Sequence, residues 1–392
     1  MKTPKSSFKS KFNLLFTLTF PLLFLSGCWD VMEVNDFAIV IAAGIDMVED
    51  DSIEVTFLLY VPNPTGGATG ENSGSSTNTY SISIKGDTFS DAVMELETKV
   101  PRRIFWGHSN LFIFGSNLAK TDLAKQIDFL VRTAEPREQA QIYISEEPPK
   151  ELLNEFVKVN IAELFSKLPK DRTLSSITLK DVEEMLVNHS MAGVIPISGK
   201  TEIVTASEAV ESFAVKGSAI IHHGKLVSIV TGEKDLGNRW LVFPKTDVPI
   251  SITPDETEGK VSAVSTRKSF KLTPKIENGK WKMEIKVKGD IAILQNTTNL
   301  DIFKQSINNR LEKEFSQKIK SDIEIFINHI QKDLHADVLQ FYEAFYRSFP
   351  KDTSKEKENW DQTFENIEVK VIVDINIKDP GITNLRFNKG KE

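Results

Sequence analysis

A single cysteine among 392 residues removes several classes of chemistry at once. It cannot close an intramolecular disulfide, and it excludes CxxC redox motifs and cysteine-based zinc sites. Six histidines leave other metal sites open but scarce. Positive charge is not in excess, because 48 basic side chains stand against 55 acidic ones for a formal net charge of −7. Binding DNA or RNA relies on a basic surplus to displace counterions, so no nucleic-acid partner is expected. The sequence has no HExxH pair, calcium loop or GxGxxG turn, and no internal repeat. What it has is 40% hydrophobic and 26% charged residues. That is enough apolar material for the cores of two or three domains and too much for a disordered chain.

The N-terminus carries the strongest local signal. Lys2, Lys5, Lys9 and Lys11 form a basic stretch without an acid, and Phe12 to Leu25 is then mostly Leu and Phe, broken by Asn13, Thr17, Thr19 and Pro21. Leu25-Ser26-Gly27 leads into Cys28. A basic start, a short apolar run and small residues before a cleavage point describe a secretory signal peptide. A permanent membrane span needs about 20 predominantly apolar residues, and this run is shorter and carries a central proline. The segment ending at the sole cysteine resembles the lipobox of bacterial lipoproteins, in which the thiol takes a diacylglycerol and cleavage leaves the cysteine as residue one. Residues 1–27 are therefore read as a lipoprotein signal peptide and Cys28 as the lipidation site. The covalent lipid is the only added group expected, with no cofactor and no catalytic or metal-binding residue assigned. Two acyl chains satisfy the two-signal requirement for stable anchoring in a bilayer. Losing the four lysines leaves 44 basic against 55 acidic side chains, so the mature body carries −11. Anionic headgroups repel such a body, and the lipid rather than the surface is expected to hold it.

Patterning along the mature chain predicts an α+β protein of three mixed α/β units, with mostly antiparallel or mixed sheets covered by helices. The first spans 28–200. In it Phe37–Ile45 and Ile53–Val61 read as a strand pair, and the Gly/Ser-rich stretch 65–79 as a flexible loop. Tyr80–Lys85 is a strand, and a helix follows Gly86-Asp87 with Phe89, Val93 and Leu96 at helical spacing. Ile104–Phe114 reads as one buried strand, Leu118–Val131 as an amphipathic helix and Gln141–Ile144 as a short strand. Glu151 to Asn188 reads as mainly helical with a break near Pro169. The second unit, 201–262, is small and β-rich, with a hairpin turning at His222-His223-Gly224-Lys225 and a loop or linker over Asp247–Glu258. The third spans 263–392. Trp281 to Lys288 alternates apolar with charged residues, and Ile367 to Ile377 repeats the pattern. Ile307, Leu311, Phe315, Ile319 and Ile323 mark a long amphipathic helix that covers a sheet, since sustained heptads are missing. Asp337 reads as the N-cap of a helix carrying Leu339, Tyr342, Phe345 and Tyr346.

Chemical motifs stop short of an active site. Gly193 and Gly199-Lys200-Thr201 look like a P-loop, but five residues separate the glycines where four are needed, and the residues after them read as strand or loop. Gly107-His108-Ser109-Asn110-Leu111 begins like a nucleophile elbow and lacks its second glycine. His222 and His223 are adjacent and project to opposite faces of a strand, which disfavours shared metal ligation.

The residues Cys28-Trp29-Asp30, Glu33, Asn35-Asp36, Ala38-Ile39 and Gly44-Ile45-Asp46 resemble the opening of the Ger(x)C family of spore germination lipoproteins. Gly107-His108, Phe112-Ile113-Phe114-Gly115, Asp128-Phe129-Leu130, Gly217-Ser218-Ala219, Gln331-Lys332, Ala336-Asp337 and Trp360 continue the resemblance to the far end of the chain. Val31-Met32 departs from the basic residues usual there, and Gln340 stands where a glycine is common. The resemblance implies the lipoprotein C subunit of a nutrient germinant receptor on the outer face of the spore inner membrane. Its implied partners are two integral-membrane receptor subunits and the bilayer. The implied role is assembly or signalling without catalysis, and whether a small molecule binds stays open. Structural or partner roles are assigned to Trp29, Asp30, Gly107, His108 and Asp337. The alternative is a lipid-anchored solute-binding protein of a transporter, for which two similar lobes are expected. An envelope hydrolase would need a Ser/His/acid constellation that the sequence does not display.

Overall fold

The computed structural model describes residues 33–48, 52–62, 79–133, 135–157, 174–204 and 209–381. The most apolar segments lie at the centre of a nine-stranded sheet. Strands β1 (Phe37–Met47), β5 (Leu111–Gly115) and β6 (Gln141–Ser145) are almost wholly buried. Near-continuous apolar runs of this kind belong to parallel strands covered on both faces. The remaining strands are β2 (Ile53–Tyr60), β3 (Thr79–Gly86), β4 (Arg103–Phe105), β7 (Gly193–Val204), β8 (Ala209–His222) and β9 (Lys225–Val230). Their order is β3-β2-β1-β5-β6-β7-β8-β9, with β4 beside β1. The run β1-β5-β6-β7 is parallel, and antiparallel strands complete both ends.

Helices α1 (Phe89–Lys99), α2 (Ser116–Arg132) and α4 (Leu179–Val187) cover one face and bury Phe89, Leu96, Leu123 and Val182 against Val40, Phe57 and Phe112. Helix α3 (Pro149–Val157) covers the other, where Leu152 and Leu153 meet Ile41, Leu58 and Ile113. The approach of α3 needs a glycine beneath it. A Cβ on Gly44 would lie 2.6 Å from Pro149 Cβ. Thr88 and Thr178 cap α1 and α4 by accepting the N–H groups of Asp91 and Asp181, satisfying donors that the helix leaves free.

The second sheet has the order β10-β11-β12-β13, with β10 (Pro249–Ile252), β11 (Val261–Glu277), β12 (Lys280–Asn296) and β13 (Glu368–Asp379). β11 and β12 form a long hairpin that turns at Asn278-Gly279, where φ is +52° and +76°. Two successive positive φ values match the twist of a two-residue hairpin, and Asn-Gly adopts them readily. β13 runs parallel to β12. Helix α6 (Gln305–Asn328) lays Leu311, Phe315, Ile319 and Ile323 into the core beneath this sheet and runs on into a π-helical turn, His329–Asp333. Helix α5 (Glu233–Leu241) packs on α6, and a Cβ at Gly237 would lie 2.2 Å from the carbonyl oxygen of Asp322. Helices α7 (Phe341–Ser348), α8 (Pro350–Lys355) and α9 (Trp360–Glu365) close the end of the unit. There Trp281 meets Phe345 and Trp360 at ring distances of 4.7 and 5.9 Å.

The α+β class agrees with the sequence reading, and several details do not. The expected middle unit at 201–262 has no sheet of its own: β7, β8 and β9 complete the first sheet, and β10 joins the second. The described residues thus form two sheets rather than three units. Ile104–Phe114 is two strands, both parallel to β1, interrupted at Trp106–Asn110, where the polar Gly107-His108-Ser109-Asn110 forms a turn between two apolar ends. The Asp247–Glu258 segment contains β10, whose four residues are strand only through pairing with β11. The stretch 65–78 and Pro169 lie outside the described residues.

Candidate functional site

Cys28, Trp29 and Asp30 lie outside the described residues. The described chain starts at Glu33, makes a short 3-10 turn over Val34–Asp36 and enters β1. Gly107 and His108 sit in the turn between β4 and β5. The Gly107 carbonyl accepts a hydrogen bond from Arg137 Nε, and Arg137 Nη2 lies 2.8 Å from His108 Nδ1. A Cβ at Gly107 would strike the Phe105 ring, 2.5 Å away, so glycine keeps the turn closed. These contacts tie one turn to another. Gly107 and His108 belong to the first sheet and Asp337 to the second unit, so the sequence-assigned residues do not form one site.

Asp337 is 1% exposed and organises the end of the second unit. Its Oδ1 accepts the Phe341 N–H at 2.8 Å, and its Oδ2 accepts the Tyr342 N–H at 2.8 Å and the Trp360 indole N–H at 2.9 Å. One carboxylate therefore caps α7 and fixes the first residue of α9. Helix α7 starts at Phe341, after Leu339, with Gln340 in the left-handed region at φ +60°. Burial pushes the Asp337 carboxyl up to about 6, against the lowering effect of its three N–H donors.

Half of the histidines line the seam between the two units. The His189 N–H donates to Glu343 Oε1 at 2.8 Å, its ring nitrogen lies 2.9 Å from the Lys357 carbonyl, and the ring stacks on Tyr342 at 3.9 Å. His222 and His223 stack on each other at 3.9 Å. Both face Asp361 in α9, with His223 Nε2 3.0 Å from Oδ2 and His222 Nε2 3.4 Å from Oδ1. Burial pushes the Asp361 carboxyl up, and the two imidazoles more than offset this, holding it below the ordinary carboxylate range. Opposite projection of the two histidines, as expected from strand alternation, does not occur. His223 has left the strand: its φ is +49° and that of Gly224 is +71°, the pair of left-handed residues a tight hairpin turn demands. Glycine at the second turn position was the sequence signal for that geometry.

The near-miss motifs are structural. Gly199-Lys200-Thr201 lies in β7, and the Lys200 N–H already donates to Glu147 Oε2 at 2.7 Å, so a carboxylate takes the place a phosphate would need. Ser109 is fully buried, and its Oγ finds no hydrogen-bond partner among the described residues, leaving no base to activate it. A cavity of about 380 Å3 lies on the seam between Gln141, Thr178, Ala192, Phe243, Lys245 and Gln340. Among the described residues no helix is long and apolar enough to cross a membrane.

Two family models match the chain in succession. "Spore germination protein N-terminal domain" covers residues 30–199, and "Spore germination B3/ GerAC like, C-terminal" covers 216–381. The chain is 26% identical to spore germination protein KC of Bacillus subtilis (strain 168), over 93% of this chain and 94% of that protein. It is 24% identical to the putative spore germination protein YfkR of the same organism, over 94% of this chain and 97% of that protein. The crystal structure of the GerBC protein superposes with a TM-score of 0.49 at 17% identity, covering 87% of this chain and 98% of that one. With both of its domains matched in order and full-length relatives that are spore germination proteins, the chain belongs to the Ger(x)C family of spore germination proteins.

Proposed function

We propose that this protein is the lipid-anchored subunit of a spore nutrient germinant receptor, needed for nutrient-triggered germination and acting without catalysis. The observation that carries the reading is one sequence that joins a lone Cys28 in a lipobox-like context to both germination domains. The lipid on Cys28 holds the protein on the outer face of the spore inner membrane. Cys28 lies five residues before Glu33, a reach of at most about 18 Å. The folded body is thereby kept against the bilayer, where the two integral-membrane subunits reside. Confinement raises the effective concentration of the partners, so weak contacts suffice for assembly. The unlike nine-stranded and four-stranded sheets favour this over a two-lobed solute-binding protein.

The test is nutrient-triggered dipicolinate release from spores deleted for this gene in a host stripped of its other receptors. Loss of release on deletion, restored by the wild type and poorly by Cys28→Ala, supports an anchored receptor subunit. Unchanged release for every nutrient tested rejects it.

A further inference from the structure

The cluster on the seam has the donor set and spacing of a metal centre. His222, His223 and Asp361 each offer one ligand atom, and these atoms lie within 4.8 Å of one another. Asp361 turns one oxygen to each imidazole, Oδ2 to His223 Nε2 at 3.0 Å and Oδ1 to His222 Nε2 at 3.4 Å, so both ring nitrogens face the same carboxylate. His222 supplies the second observation. The residue is 8% exposed, and its Nε2 stands 3.4 Å from Asp361 Oδ1 without making a hydrogen bond among the described residues. A buried imidazole nitrogen aimed at a carboxylate and a second imidazole is ready to ligate.

Each ligand is carried by an element that is itself fixed. His222 ends β8. The His223 and Gly224 N–H groups donate to the carbonyls of Ser190 and Met191 at 3.1 and 3.0 Å. Asp361 follows Trp360, whose indole Asp337 holds. We propose that His222, His223 and Asp361 form a binding site for a divalent transition-metal ion of the zinc type. Two imidazoles and a carboxylate suit zinc, whereas magnesium and calcium select oxygen ligands. Water takes the fourth position, since His223 leaves one side of the cluster open to solvent. The site draws one ligand from the end of β8, one from the turn after it and one from the second unit, so the ion staples the two units together.

The experiment uses the full chain carrying Cys28→Ala, which removes the one thiolate able to compete for the metal. Titration with cobalt chloride is followed by visible absorption, then by displacement with zinc chloride, and melting is measured with zinc and with EDTA. Expected are one equivalent bound, a tetrahedral cobalt spectrum and a rise in Tm with zinc that EDTA reverses. His223→Asn keeps a residue that tolerates the left-handed turn, and Asp361→Asn keeps the shape of the side chain. Each is expected to melt like the parent without metal and to bind at least about tenfold more weakly. His108→Ala, outside the cluster, is expected to bind like the parent. Absence of saturable binding, or binding that both variants retain, overturns the proposal. So does a Tm that responds to acidification but not to zinc, which would make the cluster a protonated ion pair.

Discussion

At Asp337 one buried carboxylate satisfies three N–H donors that would otherwise be stranded in the core. An unsatisfied buried donor costs about 1–3 kcal/mol, so Asp337→Ala is expected to destabilise the protein by about 3–5 kcal/mol in chemical denaturation. The same carboxyl carries a pH dependence with a definite sign. Its pKa rises from 3.8 to about 6 on folding, so the folded state holds the proton more tightly than the unfolded chain does. The contribution is therefore greatest below about pH 4 and declines as pH climbs to 6, by about 3 kcal/mol. Denaturation of the wild type and Asp337→Asn across pH 4 to 7 should show their difference in stability shrink by that order as pH rises. A difference that stays level would rule out a raised pKa. Gln340 is strained beside it, and Gln340→Gly is expected to add about 0.5–1 kcal/mol because only glycine occupies the left-handed region without cost. Its melting temperature should rise.

Helices and strands with one wet face were the most legible parts of the sequence. The four-residue recurrence from Ile307 to Ile323 and the alternation in β12 and β13 each report a single buried side, and each element formed where expected. Elements defined by a distant partner were not legible. β10 is four residues long and exists through β11. The contact between α5 and α6 was equally hidden, since its closest approach sets Gly237 against backbone 85 positions away, at Asp322. Gly237→Val is expected to force the two helices apart and cost at least about 3 kcal/mol, read as a lowered denaturation midpoint. Unchanged stability would mean that α5 does not pack closely on α6.

The two units share a core. Val194, Ile220 and Val230 of the first sheet pack in one apolar cluster with Phe243, Leu339 and Phe341 of the second unit. Two sheets joined by a continuous apolar interface are expected to unfold together, so calorimetry of the full chain should give a single transition. Two well-separated transitions would show that the shared core contributes little. By the same reasoning a fragment ending at Gly199 cuts β7 and removes β8 and β9, which leaves a parallel edge unpaired. Such a fragment is expected to aggregate, as light scattering would report.

Local order in the chain was enough to read an α+β class and helices and strands with one apolar face. Each of these depends on residues within a few turns of one another, where periodicity and charge act directly. The division into two sheets, the three donors gathered by Asp337 and the pairing of His223 with Asp361 across 138 positions depend on which distant segments meet. Burial and long-range strand pairing select those meetings. A tight turn did the rest, by taking one of two neighbouring histidines out of the strand and placing both before the same carboxylate.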